Sequence, residues 1–457
     1  VIAPAASAGV SAGTSAGAAA GIRPAASLIV LRDSPRGVQV LLMRRPERGN
    51  DFRSGACVFP GGVVDAGDAA AHRWCFGQDD AQASRRLGLG AGGLDYFVAA
   101  LRECFEEVGL LFACRRDGTP LDLGAQAGLL RGWRQRLHRG EATLAQLCAA
   151  LDCRLDLRET AYFAHWLTPV IRPKRFDTRF FVRLAPPAQA AEPDLGEALE
   201  LMWLTPDEAL DPARGLKLLN VTQRTLHELR GFAGAQAAYE AALARRGVQR
   251  ILPRPVSGVE PPFVIPGQPA YDEIARLDPE GRGHLRSMLA PGDATLLAPG
   301  LLRIAGARRH AYLVSSPDSA AAVIDADPGD AAAWAALQAA AAGATVRWLL
   351  GTSGGGAAPA ESAESAESAE SAESAESAGS AESAARLARA WPQAAPGGRG
   401  PLQLGPGATL EPLHGGWLLV QARVLIGGDV PAAAAAGTAG ADWLAGAHGF
   451  LQPIARP

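Results

Sequence analysis

The chain has 457 residues, 48% of them apolar and 20% charged, with a formal net charge of −3. That length accommodates two or three domains with cores of their own, and the near-neutral balance gives no electrostatic footing for nucleic acid or an anionic membrane surface. No apolar run reaches the roughly 18 residues of a membrane-spanning helix, and the six cysteines (Cys57, Cys75, Cys104, Cys114, Cys148 and Cys153) contain no C-x-x-C pair.

Such cysteines are expected to be reduced thiols in a cytoplasmic protein. Residues 1–21 are rich in Ala, Gly and Ser and lack a basic start and a strong apolar core, so a disordered tail is expected and not a signal peptide. Residues 27–31 and 38–43 are predicted strands, joined through the turn-rich segment 33–37. Phe59-Pro60-Gly61-Gly62 marks a tight turn. Residues 69–93, with Gly88, Gly90, Gly92 and Gly93, are expected to form a long loop or insertion.

From Leu94 a helical period takes over. Phe97, Leu101, Cys104, Phe105 and Val108 supply its buried stripe, and Gly109 suits a left-handed stop. A second helical region covers 125–152. Residues 162–184 are strand-like around a turn at 172–175. Residues 200–203 form a further strand before Thr205-Pro206-Asp207-Glu208, a helix-start pattern, and 216–246 are helical. This order predicts an α+β domain over 22–248.

The Pro-rich stretch 253–269 marks a boundary. Beyond it, predicted strands at 301–304, 311–314, 322–325, 345–350, 416–420 and 423–426 alternate with Ala-rich helices at 329–342 and 383–391. That alternation indicates a second, α/β layered domain over 255–457. The Glu-Ser-Ala repeat within it has a period matching neither helix nor strand, so 357–384 is expected to be a solvated low-complexity insertion.

Chemistry concentrates in Arg102-Glu103-Cys104-Phe105-Glu106-Glu107-Val108-Gly109. On a helix Glu103, Glu106 and Glu107 project from one side, where like charges repel by roughly a few tenths of a kcal/mol per pair. Holding them together calls for a compensating cation, and hard divalent ions such as Mg²⁺ take carboxylate oxygens and bridge to phosphates. The plain alternative is a solvated acidic face.

Together with Gly62 and Asp68, this segment resembles the Nudix box. Asp68 stands where the family has Glu, and 33 residues separate the two halves where the family has seven. The resemblance implies an α/β/α sandwich and hydrolysis of a diphosphate linked to another moiety. It implies that Glu103, Glu106 and Glu107 hold one to three Mg²⁺ or Mn²⁺ ions. These would neutralise the diphosphate and acidify an attacking water. Arg102 would pair with a carboxylate of the helix and hold its rotamer. Gly61 and Gly62 would let backbone approach metal and phosphates. A base outside the box would be Glu197 or Glu200.

The 41–45 segment, Gly55-Ala56-Cys57-Val58-Phe59-Pro60-Gly61-Gly62 and the 172–181 segment resemble the branch that cleaves coenzyme A and acyl-CoA. In that branch an Arg is expected near Asn50, where Arg48 and Arg53 flank the position instead. The resemblance assigns substrate contacts to Gly61, Gly62, Arg45 and Arg175, the basic residues meeting a 3′-phosphate or diphosphate. ADP-ribose or a dinucleotide is the rival substrate. The implied partner is thus a small-molecule diphosphate, with homo-oligomerisation open.

Residues 255–457 resemble a metallo-β-lactamase-fold (αβ/βα) hydrolase. The metal-binding His-x-His-x-Asp-His is replaced by Gly351-Thr352-Ser353-Gly354-Gly355-Gly356. Asp429, His448 and His414 stand as scattered remnants that cannot make a two-metal site. The expectation is a degenerate, non-catalytic domain, or else a binding or dimerisation module.

Overall fold

The computed structural model describes residues 21–453, apart from 48–53, 195–198, 261, 316–319, 353–372, 397–400, 406–407, 414–415, 421, 423, 428–442 and 447–448. The tail at 1–20, Arg48, Asn50, Arg53, Glu197, His414, Asp429, His448 and residues 361–372 of the repeat therefore lie outside the described residues. The chain divides into two compact units between Leu252 and Pro253.

In the first unit, β1 (Arg23–Ser34) and β2 (Gly37–Arg44) pair antiparallel and are buried almost without alternation, as strands covered on both faces are. The short β3 (Cys57–Val58) lies on β2, and β4 (Gly61–Val63) lies on β1. Next come α1 (Ala66–Ala70), β5 (Cys75–Phe76), α2 (Asp80–Leu87) and α3 (Gly93–Val108). Then follow β6 (Ala113–Arg115), α4 (Ala127–His138), α5 (Leu144–Ala150) and β7 (Cys153–Asp156). The unit closes with β8 (Ala161–Leu167), β9 (Phe176–Leu184), β10 (Glu200–Leu204), α6 (Pro206–Leu210), α7 (Asn220–Leu229), α8 (Ala235–Ala244) and β11 (Arg250–Ile251).

The main sheet runs β10-β2-β1-β9-β8-β11, and β5-β7-β6 make a separate small sheet. α3 buries Phe97, Leu101, Cys104, Phe105 and Val108 in one cluster with Ala26, Leu28, Val30 and Met43 of β1 and β2. α8 packs on β1, β8 and β9, and its first amide, Ala235 N, donates to Asp33 Oδ1 at 2.7 Å. All six cysteines are free thiols, and all but Cys75 are buried.

The expectation of a long loop over 69–93 needs correction, because α1, β5 and α2 occupy much of it. Asp79 and Gln82 form a reciprocal capping box at the start of α2, and Gly88, at φ 66°, ends it. Gly93 is there for packing: a Cβ would overlap the Ser84 backbone. The predicted helix over 216–246 is two helices, α7 and α8, separated around Gly231 and Gly234.

Among its described residues the second unit has two six-stranded sheets, one from Ala294–Ala298 to Ala395–Pro396 and one from Leu402–Gly405 to Gln452–Pro453. Leu301, Tyr312, Val314 and Ile324 of the first share a core with Leu410, Trp417, Leu419 and Ile426 of the second, so the sheets pack face to face. Leu313 and Val323 point the other way, towards Trp334 and Leu337 of the helix Ala331–Ala341. The helix expected at 383–391 is Glu373–Ala390 and takes in the end of the repeat. Glu and Ala are strong helix formers, and Leu387 and Ala390 near the end of this helix pack against the Trp334–Leu337 cluster.

No helix among the described residues is long and apolar enough to cross a membrane.

Candidate functional site

The two halves of the acidic motif meet where β4 passes α3. Gly61 N donates to Glu107 Oε2 at 2.7 Å, and the Glu107 residue is only 2% exposed. One residue on, a Cβ at Gly62 would overlap the Glu103 carboxylate. Gly61 has its own constraint, since a Cβ there would stand 2.5 Å from the Ala26 carbonyl oxygen across the β1–β4 pair. These glycines admit a carboxylate and a neighbouring strand; they are not merely clearing space for a ligand.

Arg102 is the hub. Its Nε and Nη2 hold Asp68 Oδ1 and Oδ2 at 2.7 and 3.1 Å, a bidentate grip. Nη2 also donates to the Val63 carbonyl at 2.9 Å, while Nη1 donates to Glu103 Oε1 at 2.8 Å and Glu106 Oε2 at 3.2 Å. The expected pairing of Arg102 with carboxylates of its own helix is present, yet its two-pronged partner is Asp68, from α1. Asp68 is 1% exposed and also accepts from Asp65 N at 2.7 Å, closing the α1 capping box. It anchors; it does not face solvent.

Burial opposes the charge on Arg102, but the Asp68 hydrogen bond and the Glu103, Asp68 and Glu106 charges outweigh it and hold the guanidinium above its ordinary pKa. For Asp68 burial dominates: the carboxyl is raised despite Arg102.

Carboxylate oxygens on one helix face are the donors a hard divalent cation takes. The space over Gly62, where a Cβ would overlap Glu103 Oε1, is occupied by that carboxylate, and a carboxylate so held fits that use. Among the described residues, however, no three acidic, His or Cys side chains are already grouped as a metal-holding cluster. Arg102 is a compensating cation for this face.

Arg45 follows β2, its backbone N bonding the Ala56 carbonyl at 3.0 Å. Arg175 Nε donates to the Thr168 carbonyl at 3.1 Å, across the turn between β8 and β9. Glu200 is exposed at the start of β10, 3.9 Å from Arg44 Nη1.

Residues that pattern reading passed over close the far end of α3. The last four carbonyls of a helix lack intrahelical partners. Here the Phe105 carbonyl accepts from Gly109 N at 3.0 Å and the Glu106 carbonyl from Arg134 Nε at 2.7 Å. The Glu107 carbonyl accepts from Asp194 N at 3.2 Å and the Val108 carbonyl from Glu192 N at 2.9 Å. Arg134 Nη1 donates in turn to the Glu192 carbonyl at 2.8 Å. Gln189 is bonded both ways to the Leu111 backbone, at 3.0 and 2.9 Å. The signal available in sequence was slight, since Arg134 is one of several arginines on an amphipathic helix.

Residues 75–219 match the NUDT19 Nudix domain family. Acyl-coenzyme A diphosphatase NUDT19 of Homo sapiens is 30% identical over 272 residues, covering 50% of this chain and 72% of the human protein. The protein of that name from Xenopus laevis is 25% identical over 231 residues, covering 43% of this chain and 60% of the frog protein. Among solved structures, a NUDIX hydrolase from Alicyclobacillus acidocaldarius is 27% identical, with a TM-score of 0.41, covering 49% of this chain and 97% of that one. With an Arg-Glu-x-x-Glu-Glu-x-Gly helix docked on a Gly-Gly strand, and a human relative matched over most of its length, this chain belongs to the Nudix hydrolase family.

Proposed function

We propose that the first unit hydrolyses the diphosphate of coenzyme A and acyl-CoA with Mg²⁺ or Mn²⁺. The observation that carries this reading is the closure of the split motif: Gly61 N on Glu107, and Gly62 against the Glu103 carboxylate. The human and frog relatives named as acyl-coenzyme A diphosphatases support the substrate. Glu103, Glu106 and Glu107 are the residues to hold the cation. A bound divalent ion supplies charge to offset the diphosphate and lowers the pKa of a coordinated water. Gly61 fixes the Glu107 carboxylate. Arg102 spaces Glu103 from Glu106 and ties both to α1 through Asp68. Glu200 and the basic residues Arg45 and Arg175 are assigned to base and substrate contacts only on the strength of the family resemblance.

For the second unit we propose a non-catalytic domain of metallo-β-lactamase architecture. Its two facing sheets with a helix on an outer face support this. So does Asp325, which closes a strand at φ 52° and accepts from Thr352 N at 2.8 Å, taking up a loop with no histidine of its own.

The test is release of 3′,5′-ADP from CoA, and of AMP from ADP-ribose, by the full chain with Mg²⁺. The parent is expected to act on CoA, and Glu106→Gln and Glu107→Gln to lose about 100-fold or more in kcat. Release of AMP alone would transfer the activity to ADP-ribose, and parent and variants equally inert on both would remove the enzymatic reading.

A further inference from the structure

Glu106 and Glu107 are each gripped at two places. The Glu106 carboxylate meets Arg102 Nη1 at 3.2 Å while its carbonyl meets Arg134 Nε at 2.7 Å. The Glu107 carboxylate meets Gly61 N at 2.7 Å while its carbonyl meets Asp194 N at 3.2 Å. The carboxylate grips come from Arg102 on the same helix and from the Gly-Gly strand. The carbonyl grips come from α4 and the segment before β10, neither of which belongs to the acidic motif.

Arg134 joins these outer pieces. It is 9% exposed, with Nε on the helix end and Nη1 on the Glu192 carbonyl, so one planar group spans α3 and the 188–194 segment. Burying a guanidinium is costly, and desolvation lowers its pKa. Lys could supply the charge that a helix C-terminus favours, but not two directed donors in one plane. The wall of this junction is also strained: Ala188 stands at φ 60°, and a Cβ on Gly124 would lie 2.7 Å from the Ala188 carbonyl oxygen. Gln189, doubly bonded to Leu111, keeps the strained segment seated.

We infer that Arg134 is a positioning residue for metal binding: by fixing the backbone of the last turn of α3 it sets where the Glu106 and Glu107 carboxylates point. This rests on the reading that α3 holds the cation. A side chain that merely stabilised the fold would change melting and leave the metal affinity of the folded protein alone.

The experiment is calorimetric titration of the full chain with Mn²⁺, alongside CoA hydrolysis and thermal melting, for the parent, Arg134→Lys, Arg134→Gln and Gln189→Ala. Folded Arg134 variants are expected to bind Mn²⁺ about tenfold more weakly and to lose a comparable factor in kcat. Their KM for CoA is expected to stay within about twofold, because the residue touches no substrate. Arg134→Lys is expected to recover little. Parent-like Mn²⁺ affinity and kcat in a folded Arg134 variant overturn the inference. Should neither Arg134 variant fold, Gln189→Ala decides: weakened Mn²⁺ binding supports the inference, and parent-like binding overturns it. Glu106→Gln and Glu107→Gln run beside them. If those bind Mn²⁺ like the parent, the cation is not on α3 and the inference falls with that assignment; if only they lose it, Arg134 alone is refuted.

Discussion

Gly62 and Arg102 show two ways in which a single residue shapes the acidic face. Gly62 does so by lacking atoms, because any Cβ would overlap the Glu103 carboxylate. Gly62→Ala should therefore swing Glu103 away from its place, and misplacing a catalytic group by about 1 Å can cost about 100-fold in rate. The displaced group is the end of a flexible side chain, so the melting temperature should move little. Steady-state kinetics and a thermal melt on the same sample check this, and a variant with parent-like kcat would remove Glu103 from the working site. Arg102 acts instead through donors: five hydrogen bonds draw Asp68, Val63, Glu103 and Glu106 to one guanidinium. Three carboxylates around it account for a charge kept inside the protein.

Among the elements, α3 was legible before any coordinates: its apolar stripe matches the buried residues, and Gly109 is left-handed at φ 76°. The start of α6 was equally plain, Thr205 and Glu208 forming a reciprocal cap. α2 was not. The glycines from Gly88 to Gly93 read as part of a long loop or insertion, whereas Gly88 stops a helix and Gly93 lets two helices touch. Neither role leaves a periodic trace. Arg134 was illegible for a related reason: its partners are backbone carbonyls, which no side-chain pattern encodes. Because α2 buries Ala83 and Leu87 in the main core, its cap should matter to the unit. Asp79→Ala is expected to cost about 1 kcal/mol in a urea titration and to leave kcat for CoA unchanged.

At the scale of the whole chain, the acidic face and its supports lie before Leu252, and a second core with its own pair of sheets follows Pro253. Units with separate cores unfold as separate cooperative steps. Scanning calorimetry is expected to show two transitions, and a chain ending at Leu252 only one, with CoA hydrolysis kept within about twofold. A single transition, or loss of activity on truncation, would mean that the second unit supports the first. The order of strands, helices and further strands already indicated two layered domains in the sequence. The pairing of the second unit's sheets was hidden, because short Ala-rich strands carry little period to read.

The Asp68–Arg102 pair has a bearing on sequence length. It clasps together the two ends of a 33-residue excursion, so those residues leave and return to nearly the same point. For a flexible chain, enlarging such an excursion from seven residues to 33 costs only about 1.4 kcal/mol of closure entropy. The capped helix and buried side chains within it can return that much. Spacing between the half-motifs is therefore a poor ruler for this site, and insertions there are free to grow while the clasp holds.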